Sequence, residues 1–364
     1  VPEFRFPFFL GIAERPAWDD FILGQTKPDA FNTGVASSLM TGTLTGQSGG
    51  VYTVASGSKI YRKRIEAHVS MSGNASLVEC EVVGPAFTSN SYYPGFSGMI
   101  ECSGTGNVIE RTRISPQFPM YYQNGIHGTG FTARRCDISR CGDGINTKPS
   151  NAMVIEGCWL HDLAAWDGNN GQSGDGFLTG GNGTDHSGDS RFPGWEHNDC
   201  IQVYGGTVTI RGCNIQAFIA PDVGTPTTLT TTGNPFGTNA GRKFPLGNWN
   251  HGVFFGPENA AITATMTQNW IDGGEVLVQT SPQGSGFDTG NSFTFNYNRM
   301  GLGVKPGFTG NPTNPYTIVD SDNSMGTHTW RGNVFDPDAS TVPVGHKGEL
   351  IDAYFSSGQC SVTL

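Results

Sequence analysis

Eight short segments of this chain repeat one pattern, and the pattern leaves few choices of fold. They are "LVECEVVG" (77–84), "VIERTRIS" (108–115), "TARRCDIS" (132–139), "VIEGCWLH" (154–161), "TIRGCNIQ" (209–216), "MTQNWID" (266–272), "FNYNRMG" (295–301) and "WRGNVFD" (330–336). The first five read apolar–x–x–[Cys/Thr]–x–apolar, and the last three continue the column with asparagine. The shared column is Cys80, Thr112, Cys136, Cys158, Cys213, Asn269, Asn298 and Asn333, at spacings of 32, 24, 22, 55, 56, 29 and 35 residues. A fixed column at a short base period with long insertions is the mark of a solenoid, in which each repeat buries its apolar face only against its neighbours.

Each repeat also carries an earlier strand. "NGIHG" (124–128), "DGINT" (143–147), "DCIQV" (199–203) and "HGVFF" (251–255) open on polar turn residues and run into alternating apolar positions. Short strands joined by Gly, Asn and Asp turns make a coil, and stacked coils place like residues about 4.8 Å apart. Glycine at 53 of 364 residues and charged residues at only 14% fit this turn-rich, all-β chain. The expected fold is all-β, a right-handed parallel β-helix over residues 51–335. Residues 1–50 are expected to form an N-terminal cap or attachment segment, and residues 336–364 a C-terminal cap, because an open strand edge invites aggregation. The column wants a small inward group, so its cysteines are expected to be reduced core residues, and Asn269, Asn298 and Asn333 a side-chain amide ladder.

Several function classes drop out. A net charge of −10 argues against nucleic acid as a partner, since phosphate binding needs basic patches. No apolar run reaches membrane-spanning length. The first residues lack the basic-then-apolar layout of a secretory signal, and the opening Val is what a processed chain would show. No CxxC pair or His/Cys cluster suggests zinc, and the oxygen-rich "DGNNGQSGD" (167–175) lacks calcium-loop spacing, so neither a metal nor another cofactor is expected.

Two long insertions, 164–197 and 217–250, each leave a coil after its column residue and return before the next early strand. They are expected to emerge on one side and wall a groove, as long loops in compact domains usually serve function. Trp166, Trp195 and Trp249 lie in them, as do His197, Arg242 and Lys243. A tryptophan there can stack on a sugar or simply pin its loop to the helix.

The early strands make two more columns. Asn124, Asp143, Asp199 and His251 start them, and His127, Asn146, Gln202 and Phe254 follow three positions on. Asp143 and Asp199 in adjacent coils would repel, splitting their pKa values into acid and base roles suited to glycoside hydrolysis. The same residues at strand starts also form Asx-turns with no catalytic meaning. Candidate catalytic residues are therefore Asp199, Asp143, His251 and His197. Candidate glycan-binding residues are Trp166, Trp195, Trp249, Gln202, His127, Arg242 and Lys243. A lyase would need a base and a cation, for which His197, His251, Arg242 and Lys243 are the candidates.

The repeat columns resemble those of pectate-lyase-like β-helix proteins. "GDGIN" (142–146), "NDCIQVYGG" (198–206) and "NHGVFFG" (250–256) are similar to three polygalacturonase motifs in the same order, with Asn198 where that family has a first acid and Lys305 in "GVKPG" a partial echo of its basic motif. "FNTGV" (31–35), "LTGQSGGVYTVASGSKI" (44–60) and the H-x-D-x-I-Q-V run ending at Val203 look similar to β-helix proteins of actinobacteria and to minor tail proteins of their phages, over most of residues 31–216. That resemblance implies a virion-tail or extracellular protein that contacts or cleaves host-surface glycan. It also implies other tail proteins as partners and a homotrimer. Three readings stay open: a tail protein with hydrolase or lyase activity, a binding or structural tail protein without catalysis, and a secreted β-helix enzyme unrelated to phage.

Overall fold

The structure is a computed structural model that describes residues 21–46, 50–85, 98–117, 123–163, 199–217, 251–258, 260–274, 276–280, 290–302, 316–321, 326–339, 341–352 and 359–362. It is a parallel β-helix. Three sheets of ten, nine and ten strands run the length of the helix, and the chain visits them in turn in each of nine coils. In the coil that begins at residue 145, for example, Ile145–Thr147 lies in the first sheet, Met153–Glu156 in the second and Trp159–His161 in the third. Neighbouring coils pair in parallel register throughout, as Ile126↔Ile145↔Ile201↔Val253 in the first sheet and Ala133↔Ile155↔Ile210↔Met266 in the second. All of these side chains are sealed in one core that runs the length of the coils. Each aliphatic so buried contributes about 1.5–3 kcal/mol, before the entropy of ordering it is subtracted.

The eight-residue repeat that reads as one later strand is two strands with a corner between them. The residue before the column adopts the left-handed conformation in every repeat: φ is 52° at Glu79, 46° at Arg111, 50° at Arg135, 60° at Gly157, 61° at Gly212, 58° at Gln268, 56° at Tyr297 and 69° at Gly332. That conformation is sterically unfavourable for residues other than glycine, so the corner must be held from outside. The column residue does this, and it explains why Cys, Thr and Asn interchange. Each offers a donor and an acceptor on a short stem. Cys136 Sγ donates to Ile109 O, and Cys213 Sγ donates to Ile155 O, one coil back. In the acceptor direction, Cys136 N–H donates to Cys158 Sγ and Cys213 N–H to Asn269 Oδ1. All four column cysteines are fully buried and free, as are Cys102, Cys141 and Cys200. An extra corner at Arg62, φ 49°, belongs to the first coil, where Lys63 stands in the column and hides the repeat from a sequence reading.

The asparagines form the expected ladder. Asn269 Nδ2 donates to Asn298 Oδ1 at 2.9 Å, and Asn298 Nδ2 to Asn333 Oδ1 at 2.9 Å, while each amide also reaches a backbone carbonyl. The ladder ends on the Asp352 carboxylate, which accepts from Asn333 N and Nδ2. A carboxylate is acceptor-only, so it closes a run of donors that another amide would have extended.

The two termini attach differently. Thr43–Thr45 is the first strand of the third sheet. Ahead of it the chain runs along the outside of the helix. Lys27 reaches Asp336 in the last coil, Asn214 Nδ2 donates to Pro28 O, Gly34 N–H donates to Arg135 O, and Ser37 Oγ donates to Glu81. A Cβ at Gly157 would lie 2.9 Å from Phe21, and one at Gly212 would lie 2.6 Å from Leu23. Those two corners are glycine because this strap passes over them as well as for their φ. Residues 1–20 of the expected N-terminal segment lie outside the described residues. At the other end, Gln359–Val362 pairs antiparallel with Tyr316–Ser321 and covers the last strand of the first sheet.

Replacing Asn298 with Ala removes a ladder rung that makes two side-chain donations and accepts two. Chemical denaturation of Asn298→Ala is expected to show a loss of about 2–4 kcal/mol, from unpaired buried groups and a small cavity. A loss below about 0.5 kcal/mol would mean that the ladder does not hold the corner.

Candidate functional site

The strand-start column is brought together as the sequence suggests. Asp199 pairs with His251 across the first sheet, and the register Ile145↔Ile201 sets Asp143 beside Asp199 one coil earlier. Glycine follows two of these residues for a steric reason. A Cβ at Gly144 would stand 2.6 Å from Cys200 O, and one at Gly252 would stand 2.6 Å from Leu277 O. The Asp–Gly and His–Gly pairs thus let the next coil close in while the polar side chain stays at the strand mouth.

The polar contacts run up the helix. Asp143 Oδ1 accepts from Asp199 N–H at 2.9 Å. Asp199 Oδ1 accepts from His251 N–H at 3.1 Å and lies 2.6 Å from His251 Nδ1. That carboxylate places the imidazole proton on Nδ1, which leaves the lone pair on Nε2. The His251 ring lies against Phe254, at 5.6 Å between centroids. Asn146 Nδ2 donates to Asp143 Oδ2 at 3.0 Å and to Gln202 Oε1 at 2.6 Å. His127 lies in register with Asn146 and bonds Glu101 through Nδ1 at 2.8 Å.

Accessibility separates the two aspartates. Asp199 is 2% exposed, whereas Asp143 is only partly buried. Asp143 is therefore the more accessible residue of the two, and Asp199 lies behind it. Burial and, next, the negative charge of Asp199 push the Asp143 carboxyl up to about 7, against the smaller opposing effects of its bonds to Asp199 N–H and Asn146. Asp143 thus exchanges its proton near neutrality, the range in which a general acid is most effective.

Of the other candidates, Gln202 belongs to this network, and His127 pairs with Glu101 one coil before Asn146. Trp166, Trp195, Trp249, His197, Arg242 and Lys243 lie outside the described residues. The roots of both insertions are described: one leaves after Leu163 and rejoins at Asp199, the other leaves after Ala217 and rejoins at His251. Both therefore span the same corner, from third sheet to first, in adjacent coils. The expected groove between them lies outside the described residues. Glu101 escapes a sequence reading because its strand, Gly98–Ser103, opens on no Asp, Asn or His motif.

A second titratable cluster sits on the third sheet. His161 bonds Asp137 through Nε2 and Asp162 through Nδ1; burial opposes its charge, and the two carboxylates overcome that and raise its pKa. Among the described residues, no group of three or more His, Cys, Asp or Glu side chains is placed to hold a metal ion. No helix among them is long and apolar enough to cross a membrane.

Comparison with known proteins adds little. No family model matches the chain, and no curated protein matches it. Among solved structures, an alginate lyase from Paenibacillus sp. str. FPU-7 matches with a TM-score of 0.34 and 11% sequence identity, over 82% of this chain and 80% of that one. At that level of likeness no residue role or activity carries across, and the fold rests on the sheets themselves.

The Asp143 proton should be visible in stability. Its folded pKa lies above the unfolded value, so its contribution is full below about pH 4 and is lost as pH rises through about 7. Asp143→Asn keeps the acceptor for Asp199 N–H and removes the charge. At pH 8 the variant is expected to be more stable than the parent by on the order of 1–3 kcal/mol, with the advantage vanishing below about pH 4. Equal pH dependence of the two melting curves would contradict the raised carboxyl.

Proposed function

We propose that the outer face of the first sheet binds a glycan and cleaves it by acid–base chemistry. In this reading Asp143, protonated at neutral pH, donates to the leaving glycosidic oxygen. His251, oriented through Nδ1 by Asp199, accepts a proton from the attacking water at Nε2. Asp199 is a positioning residue with two tasks: it fixes the imidazole tautomer and holds the Asp143 proton in place. The observation that carries the reading is the raised Asp143 carboxyl one coil from an Asp–His pair. Asp143 and His251 stand two coils apart, about 9–10 Å at the backbone. The setting we propose is extracellular, on a phage tail or a secreted protein, with host-surface glycan as the partner.

One observation favours a second reading, a glycan-binding or structural protein without catalysis. Both carboxylates accept the backbone N–H of the following coil, just as each ladder asparagine accepts the backbone N–H of the coil before it. A carboxylate so used has a structural role whether or not it reacts.

The two readings separate in one assay, release of sugar ends from purified host-surface glycans. Catalysis predicts a fall of about 10²–10⁴-fold in Asp143→Asn, with glycan binding retained and melting at pH 7 unchanged or raised. Full activity in Asp143→Asn defeats the proposed acid. Binding without release of ends from any glycan by the parent protein leaves the second reading.

A further inference from the structure

We propose that Asn146 and Gln202 are positioning residues for the Asp143 proton, a pair of amides that turn over together as Asp143 gains or loses it. The inference rests on the acid–base reading above in taking Asp143 as the group that exchanges a proton, and it holds for any glycan. Its ground is that one atom of Asn146 serves two neighbours. Asn146 Nδ2 donates to Asp143 Oδ2 at 3.0 Å and to Gln202 Oε1 at 2.6 Å, so both of its amide hydrogens are spent. The three side chains meet because Asn146 lies three residues beyond Asp143 and in register with Gln202 in the next coil. Asn146 is buried, so its amide finds its partners in the protein.

That arrangement suits an ionised Asp143 and conflicts with a protonated one. A carboxylate only accepts, whereas a carboxylic acid must also donate. Asp143 Oδ1 takes the Asp199 N–H at 2.9 Å, a buried main-chain donor that cannot turn away and needs an acceptor. Oδ1 therefore keeps the carbonyl character that accepts best, and the proton goes to Oδ2, where it faces an N–H of Asn146. Half a turn of the Asn146 amide removes the conflict. Its Oδ1 then accepts from the acid with one lone pair and from the Gln202 Nε2 with the other, once the Gln202 amide has turned as well. Gln202 is half-buried, so the relay ends where water can take up its remaining bonds. In the proposed reaction the proton passes from Asp143 Oδ2 to the leaving glycosidic oxygen. The pair turns back, and the carboxylate left behind receives the Asn146 N–H.

The other titratable groups facing this pair are few. Asp199 and His251 act on Asp143 from the next two coils, and Cys141 and Cys200 lie close to it, with Arg140 acting on Cys141. Burial pushes both thiols up, so neither ionises in the range of the Asp143 change. On the other side, His127 is the register partner of Asn146, and Glu101 that of His127. An imidazole is thus the rival cause of any turn with pH, and removing the Asp143 carboxyl separates the two.

The test is neutron diffraction from deuterated crystals of the full chain at about pH 5 and about pH 9, on either side of the Asp143 change. It reads which end of each amide carries deuterium. At the higher pH, Asn146 Nδ2 is expected against Asp143 and Gln202 Oε1. At the lower pH, a deuteron is expected on Asp143 Oδ2, with Asn146 Oδ1 against it and Gln202 Nε2 against Asn146. Asp143→Asn puts an amide N–H where the acid carries its O–H, and should hold the pair in the turned form at both pH values. A deuteron on Asp143 with Asn146 unturned overturns the relay while the acid–base reading stands. No deuteron on Asp143 at the lower pH, with the pair turned in Asp143→Asn, sinks that reading and keeps the relay. A pair unturned in Asp143→Asn at either pH overturns the relay, since it then answers to an imidazole or to nothing.

Discussion

Each coil turns from its second sheet to its third through one left-handed residue, and the residue that follows it ties that corner to the coils on either side. A backbone at φ 46–69° is unfavourable for most residues. Nine such corners stacked in line would have no reason to persist without a partner for the groups they expose. The column residue supplies one. It accepts an N–H and donates to a carbonyl of the coil before it: the Cys158 sulfur accepts from Cys136 N–H, the Cys136 and Cys213 sulfurs donate to Ile109 O and Ile155 O, and the amides of Asn269 and Asn298 do both. The parallel register of all three sheets follows from this alignment, and with it the sealed apolar core.

The candidate site uses the same device on another sheet. Asp143 and Asp199 also accept a backbone N–H of an adjacent coil, here the next one rather than the one before, but they are carboxylates and carry charge. A neutral amide would satisfy the same N–H without repulsion. Two acids in successive coils make each the source of the other's unfavourable field, and the partly exposed one answers by holding its proton. The site therefore carries a local destabilisation that the ladder does not need, which is the pattern expected where chemistry rather than packing selects a residue.

The parts of this that can be read from sequence are those in which one residue type recurs at one structural position. The Cys/Thr/Asn column gave the solenoid, and the Asp–Gly and His–Gly pairs gave the strand-start column. Lys63 in the first coil breaks the column and hides that coil. The corner inside each repeat is invisible because Glu, Arg, Gln, Tyr and Gly all occupy it. The strap is invisible for another reason: it joins Phe21, Lys27 and Pro28 to residues more than a hundred positions away, with no periodicity to announce it. The burial of Asp199 relative to Asp143 belongs to the same class. Both stand in one column with similar neighbours in sequence, and only their packing tells which of them solvent can reach.

The central claim is that Asp143 holds a proton at neutral pH because burial and the Asp199 charge put it there. Carbon NMR of protein labelled at the aspartate carboxyl carbons tests it directly. The account predicts one carboxyl that titrates at about 7, absent in Asp143→Asn and moved to lower pH in Asp199→Asn, where the neighbouring charge is gone. If every aspartate that responds to pH does so in the ordinary range near 4, or if the neutral-range titration is unmoved in Asp199→Asn, the account of the site is wrong.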